Sequence, residues 1–241
     1  MKLINLPNII TCCNVLCGCM AVYFGIQGDI STASLFIVGG AVFDFFDGMT
    51  ARALHISGPI GKELDSLADM VSFGLAPSVL AYQMAVSIDN DYPALLFAAA
   101  MLMTCFSALR LAKFNCDERQ SLSFIGLPTP ANALFWIGLS HFAQLDGIHS
   151  FIVENAYICG YVFALLLVVM SYLLICELPM FSLKIKPGHM GWAENKLRYT
   201  FLALTVAVII GSIIIGQAAA SLAFIILLYI IMSVIGAMSA K

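Results

Sequence analysis

The chain has 241 residues, of which 61% are apolar and 10% charged, with a net charge of −3 and a mean hydropathy of +0.98. A soluble domain carries about 25% charged residues, so a surface wetted all round is excluded. The mild acidity gives no basis for nucleic-acid binding. Spans of about 20 apolar residues, cut by polar breaks and Gly/Pro punctuation, predict helices over 9–27, 30–54, 61–85, 92–114, 129–144, 153–176, 199–215 and 218–238. The expected fold is an all-α polytopic bundle of about eight transmembrane helices, a single integral membrane domain over 1–241. The opening Met1 to Thr11 has one basic residue and no small-residue cleavage site, so it reads as the start of a retained first helix.

With eight spans, every Lys and Arg falls at the N-terminus, in an even-numbered connection or at the C-terminus. The odd-numbered connections hold Asp29, Asp89, Asp91, Asp146 and Glu154 instead. Basic residues stay cytoplasmic, which places both termini inside and the chain in the inner (cytoplasmic) membrane. The spans avoid charges by choice, so parity is the independent signal: losing one helix would scatter the cations to both sides. The hydrophilic stretch Phe181 to Tyr199, with Lys184, Lys186, Lys196 and Arg198, reads as a cytoplasmic loop near anionic headgroups. The eight cysteines lack paired metal-site spacing and read as small packing residues in a reduced compartment. The four histidines, together with Trp136, Trp192, Tyr23, Tyr92 and Tyr199, read as interfacial residues.

Against this background stands the run from Asp44 to Asp69. A charge near the bilayer centre costs roughly 2.5–3.5 kcal/mol, so intramembrane acids mark function by default. At 100° per residue, Asp44, Asp47, Gly48, Ala51 and Arg52 share about 140° of arc on helix 2, and Gly61, Asp65, Asp69 and Ser72 about 80° on helix 3. Arg52 lies about 12 Å beyond Asp44 along the axis. Two antiparallel helices can therefore turn these faces together around an acid-lined, water-accessible cavity at the cytoplasmic side. Facing carboxylates need a cation among them, and all-oxygen ligation suits Mg²⁺ or Mn²⁺. Two such ions stabilise charge in phosphoryl-type displacements, and Arg52 can grip phosphate oxygens. Intramembrane acids also mark ion-coupled transporters, which place them near the midplane in repeated or interrupted helices. The clustering of these acids toward one face and the absence of a visible repeat favour metal-assisted transfer on a phosphorylated, membrane-held substrate.

The run D-x2-D-G-x2-A-R-x8-G-x3-D-x3-D, unbroken from Asp44 to Asp69, resembles the signature of the CDP-alcohol phosphotransferases. The resemblance implies two divalent cations on Asp44, Asp47, Asp65 and Asp69, with Asp69 as general base. It implies a cytidine diphosphate site at Gly48, Ala51 and Arg52, faced also by Asn8 to Thr11; Gly61 and Ser72 are further candidates for this site. It also implies a homodimer. The stretches Asp69 to Pro77, Arg110 to Asn115 and Phe124 to Ala131, and more weakly Phe181 to Lys184, resemble the phosphatidylserine synthase branch. Lys113 departs from the Arg usual there and loses its planar fork.

The implied reaction is phosphatidyl transfer from CDP-diacylglycerol to the hydroxyl of L-serine, releasing CMP. Arg110 would then suit the serine carboxylate, and Asn115 its ammonium through the amide oxygen. The rival acceptor is glycerol 3-phosphate, for whose phosphate no second Arg is evident. The resemblance covers about 5–190; the last two helices, about 199–238, carry only hydropathy.

Overall fold

In the computed structural model, residues 4–56, 58–88, 93–117, 124–181 and 192–239 are described. Helix α1 (Leu6–Ile26) starts where the Asn8 backbone N–H donates to the Asn5 side chain at 2.9 Å, with Pro7 in its first turn. It turns through Gly28, at φ +81°, into α2 (Ile30–Ala53). Asp29 caps α2 by accepting from the Thr32 N–H at 3.0 Å. Hydrogen bonds from Thr32 hold the exposed Asp29 carboxyl below its ordinary range.

After a short connection, α3 (Pro59–Asp69), a π-helical turn (Met70–Leu75) and α4 (Ala76–Ile88) form one continuous span of 30 residues. Helix α5 (Pro93–Cys116) returns to the end where α1 began. The strand pair β1 (Phe124–Ile125) and β2 (Pro179–Met180) brackets α6 (Thr129–Ala143), the short amphipathic α7 (Asp146–Glu154) and α8 (Ala156–Ile175). Helix α9 (Trp192–Ile214), broken at Asn195, and α10 (Ser221–Ser239) complete the bundle.

Seven of these spans are long and apolar enough to cross a membrane. Helix α6 is not among them, and its 15 residues cover only about 22 Å. Its entry lies beside α5, where Arg110 Nε donates to the Leu127 carbonyl at 3.2 Å. Its exit lies beside the start of α2, where His141 Nε2 sits 3.2 Å from Ser34 Oγ. A helix enclosed by α2, α4 and α10 need not match the lipid thickness. Its Gly138 shows how close the packing is: a Cβ there would lie 2.1 Å from the Ala223 nitrogen on α10. Small residues allow such backbone approach inside membranes.

The expectation of an all-α polytopic bundle therefore stands, with seven helices among the described residues long and apolar enough to span, and α7 is an addition to it, lying between α6 and α8. The π turn is a second addition. It breaks the regular ladder, with the Ala76 N–H reaching the Val71 carbonyl, and Ser78 Oγ donates to the Gly74 carbonyl at 2.8 Å. The expected loop before residue 199 is helical from Trp192 onward. Lys184, Lys186 and the weaker motif after Phe181 lie outside the described residues, as do Asp89, Asp91, Tyr92 and His189.

Two apolar clusters hold the bundle. One joins Ala21, Ala33, Ile37, Phe73, Leu80 and Ile137; the larger surrounds Phe135, Trp136, Met170, Leu174 and Tyr229. Trp136 corrects an expectation: it is fully buried, 5.5 Å from Phe135 and 5.7 Å from Phe163 by ring centroids, and does not anchor an interface. His141 likewise points inward, to Ser34. All eight cysteines are unpaired.

Candidate active site

The site forms where α1, α2 and α3 converge at the end that carries Arg52 and Lys62. On α2 and α3, one carboxylate oxygen from each of Asp44, Asp47 and Asp65 lies within 4.8 Å of the others. Asp69 stands outside that triad but lies within electrostatic range of all three of its members. Asp44 likewise lies within electrostatic range of the other three acids.

Helix α1 supplies the supports. Thr11 Oγ1 donates to Asp47 Oδ2 at 2.6 Å, and Asn14 Nδ2 donates to Asp69 Oδ1 at 3.4 Å. No Lys or Arg among the described residues makes an ion pair with any of the four acids. A compact set of oxygen donors without a protein cation fits a hard divalent ion. The cluster could hold such a metal.

Beside the triad opens a cavity of about 220 Å³. Asp47 and Asp65 form its acidic side. Five of the seven expected nucleotide residues line it: Asn8, Thr11, Gly48, Ala51 and Gly61. Pro7, Ile56, Gly58 and Lys62 complete the wall and were not singled out by the sequence reading. At Gly61, which faces α1, an added Cβ would sit 3.6 Å from Asn8 Oδ1, an ordinary contact distance, so the space there admits a small side chain. At Gly48 the neighbour is the Arg52 guanidinium, whose Nη1 lies 3.4 Å from the position of a Cβ. Arg52 itself flanks the cavity without lining it.

Ser72 is placed elsewhere. It is fully buried in the seam of α1, α2 and the π turn, and its Oγ donates to the Asn14 carbonyl at 2.9 Å. It does not line the cavity, and its partner lies across the helix interface, not one turn back on its own helix.

The two acceptor candidates also have structural ties. Arg110 is buried, stacks 5.3 Å from the Phe114 ring centroid and donates from Nε to the Leu127 carbonyl. It lies within electrostatic range of Asp69 and Tyr229. Asn115 Nδ2 donates to Ser66 Oγ at 2.8 Å, while Lys62 Nζ donates to the Asn115 carbonyl at 2.8 Å. Asn115 therefore pins the end of α5 to α3. Lys113 pairs with Glu177 at 3.3 Å, away from the acids.

The turn that receives Arg110 depends on Gly126, at φ +77°. A Cβ there would lie 2.8 Å from the Leu174 carbonyl oxygen, so the β1–β2 clasp can close over α8 only with glycine at that position.

The chain is 40% identical over 135 residues to the CDP-diacylglycerol–serine O-phosphatidyltransferase of Bacillus subtilis, covering 56% of this chain and 75% of that one. It is 34% identical over 130 residues to the protein of the same name from Helicobacter pylori, covering 53% of this chain and 54% of that one. It is 33% identical over 134 residues to the archaetidylserine synthase of Methanothermobacter thermautotrophicus, covering 54% and 55%. The chain thus spans about half the length of the latter two relatives. The family model for CDP-alcohol phosphatidyltransferases matches residues 4–239, so the last two helices lie within it, and the chain belongs to that family.

Proposed function

We propose that this membrane protein transfers the phosphatidyl group of CDP-diacylglycerol to the hydroxyl of L-serine, forming phosphatidylserine and CMP. The observation that carries the reading is the shared cavity: five nucleotide candidates from three helices open onto the same space as Asp47 and Asp65. The acceptor assignment is supported by the names of the relatives.

The lipid tails stay in the leaflet while the CDP group enters between α1, α2 and α3. Asp44, Asp47, Asp65 and Asp69 would hold two divalent cations, Mg²⁺ or Mn²⁺. When bound, such ions polarise the diphosphate and neutralise charge on the departing CMP. Thr11 fixes the rotamer of Asp47. Gly48 leaves the α2 backbone bare beside Arg52, and Lys62 adds a cation to the cavity wall. Asp69 accepts the proton of the serine hydroxyl as its oxygen bonds to the lipid-side phosphorus and the bond to CMP breaks. The cluster of Lys62, Arg52 and Lys113 at this end, against Asp29, Asp146 and Glu154 at the other, supports a cytoplasmic site and cytoplasmic termini in the inner membrane. The homodimer is carried by the family resemblance.

The test is to incubate purified protein with CDP-diacylglycerol, Mn²⁺ and a panel of alcohols and to measure CMP. Serine should give the highest rate by at least about tenfold, a difference of roughly 1.4 kcal/mol. Glycerol 3-phosphate in first place would overturn the acceptor, and no CMP with any alcohol would overturn the transferase reading.

One substitution probes the acceptor side. Nε of Arg110 is committed to Leu127, which leaves its terminal NH₂ groups for a carboxylate. Arg110→Ala should raise the KM for serine roughly tenfold or more, as loss of a charge-assisted hydrogen bond does, with little change in that for CDP-diacylglycerol. An equal rise in both would mark Arg110 as a brace for the Leu127 turn alone.

A further inference from the structure

Asn14 has no place in the cavity wall, yet it touches the reacting centre through another residue. It is completely buried on α1. Its Nδ2 faces Asp69 Oδ1 at 3.4 Å, and its backbone carbonyl accepts from Ser72 Oγ at 2.9 Å. Helix α1 therefore grips the long third span at Asp69 and again three residues later, inside the π turn. A carboxylate only accepts hydrogen bonds, so the amide nitrogen must be the atom facing Asp69. The other amide atom, Oδ1, has no partner and points at α2, where it lies 2.8 Å from the position of a Cβ on Gly40. Any side chain at position 40 would push the amide out of place.

Leucine has the branched outline of asparagine, though it is larger, and would leave no buried polar atom. An amide that carries an unpaired oxygen here needs a reason beyond space filling. The same face of α1 offers a parallel: one turn earlier, Thr11 holds Asp47.

We propose that Asn14 is a positioning residue for Asp69, and that Gly40 is glycine in order to admit it. The amide N–H binds one carboxylate oxygen and fixes the rotation of the carboxylate, which leaves the second oxygen directed at the acceptor hydroxyl. This rests on the reading of Asp69 as general base.

The experiment uses the full chain in detergent micelles or nanodiscs, with CDP-diacylglycerol, serine and Mn²⁺. Asn14→Leu should lower kcat about 10- to 100-fold, the range typical when an outer partner of a site residue is lost. Both KM values should stay within about twofold of wild type. The thermal shift on adding Mn²⁺ should persist, because Asp44, Asp47 and Asp65 are untouched. Gly40→Ala should lower kcat in the same way, but should have no further effect in an Asn14→Ala background, the non-additivity expected of one shared interaction.

Should Asn14→Leu fail to accumulate, Asn14→Ala adds no bulk and carries the same expectation. The inference is overturned if Asn14→Leu turns over within twofold of wild type, or if kcat, both KM values and thermal stability fall together. Asp69→Asn separates the two levels. Retained turnover in Asp69→Asn removes the base itself, whereas an inactive Asp69→Asn beside a fully active Asn14→Leu removes only the positioning role.

Discussion

Asp44→Asn is expected to lower turnover by about 10³-fold or more, equivalent to roughly 4 kcal/mol of transition-state stabilisation. Asp44 belongs to the triad, with a carboxylate oxygen within 4.8 Å of Asp47 and Asp65, and it lies within electrostatic range of Asp69 as well. Loss of activity alone would fit many causes, so stability supplies the sharper signature. Two like charges about 4 Å apart repel by on the order of 4 kcal/mol at an effective dielectric of about 20. Neutralising this carboxylate relieves that repulsion when no cation is bound. In EDTA, the mutant should therefore melt at or above the wild-type temperature.

Addition of Mn²⁺ should reverse the order. An ion at a hundred times its dissociation constant stabilises the wild type by about 2.7 kcal/mol, and most of that gain disappears if affinity falls a hundredfold. Thermal unfolding in detergent, with and without Mn²⁺, measures both quantities. If the two proteins gained equally from Mn²⁺, the acidic cluster would not be the ion's site.

Much of this was legible in the sequence because helices convert spacing into geometry. The intervals of three and four residues between Asp44, Asp47, Gly48, Ala51 and Arg52 settle which side chains share a face. Most of that face, with Gly61 and Asp65 opposite, surrounds the cavity. Hydropathy likewise located the long spans, since each needs a continuous apolar run.

What stayed hidden has a common cause: hydropathy reports an apolar surrounding without distinguishing lipid from protein. Trp136 in an apolar helix reads as an anchor until α6 is seen to be enclosed by other helices. Asn14 looks like an isolated polar residue within the Cys-rich first span. Its only signal was the recurrence Asn8, Thr11, Asn14 at intervals of three. Ser72 fits the polar arc of the third span by angle, but the π turn starts at Met70 and shifts the register after Asp69. Lys62 reads as a topological cation because positive-inside already accounts for it; only the approach of α1 to α3 places it on the cavity wall. Nor does period announce the clasp of Phe124 and Ile125 with Pro179 and Met180. It depends on a glycine conformation and on a pairing of Phe124 with Met180 and Ile125 with Pro179, far apart along the chain.

Asp69→Asn should part company with Asp44→Asn. Asp69 adjoins the acidic triad without belonging to it, so its removal leaves Asp44, Asp47 and Asp65 in place. The amide is nearly isosteric with the carboxyl and keeps an oxygen that can still accept from Asn14, so the fold around α1 and the π turn is preserved. What disappears is a basic oxygen for the serine proton. General bases contribute typically 10²- to 10⁴-fold, and turnover should fall within that range. The Mn²⁺-induced thermal shift should shrink less than in Asp44→Asn, because three of the four acids remain, and binding of CDP-diacylglycerol should persist, since the cavity wall from Pro7 to Asp65 does not include residue 69. An acid that served the metal alone would behave otherwise: Asp69→Asn would then lose its response to Mn²⁺ in step with its activity, as Asp44→Asn is expected to do. Running the two variants side by side, with thermal shift and CMP release as paired readouts, assigns proton transfer to Asp69 only if the responses diverge.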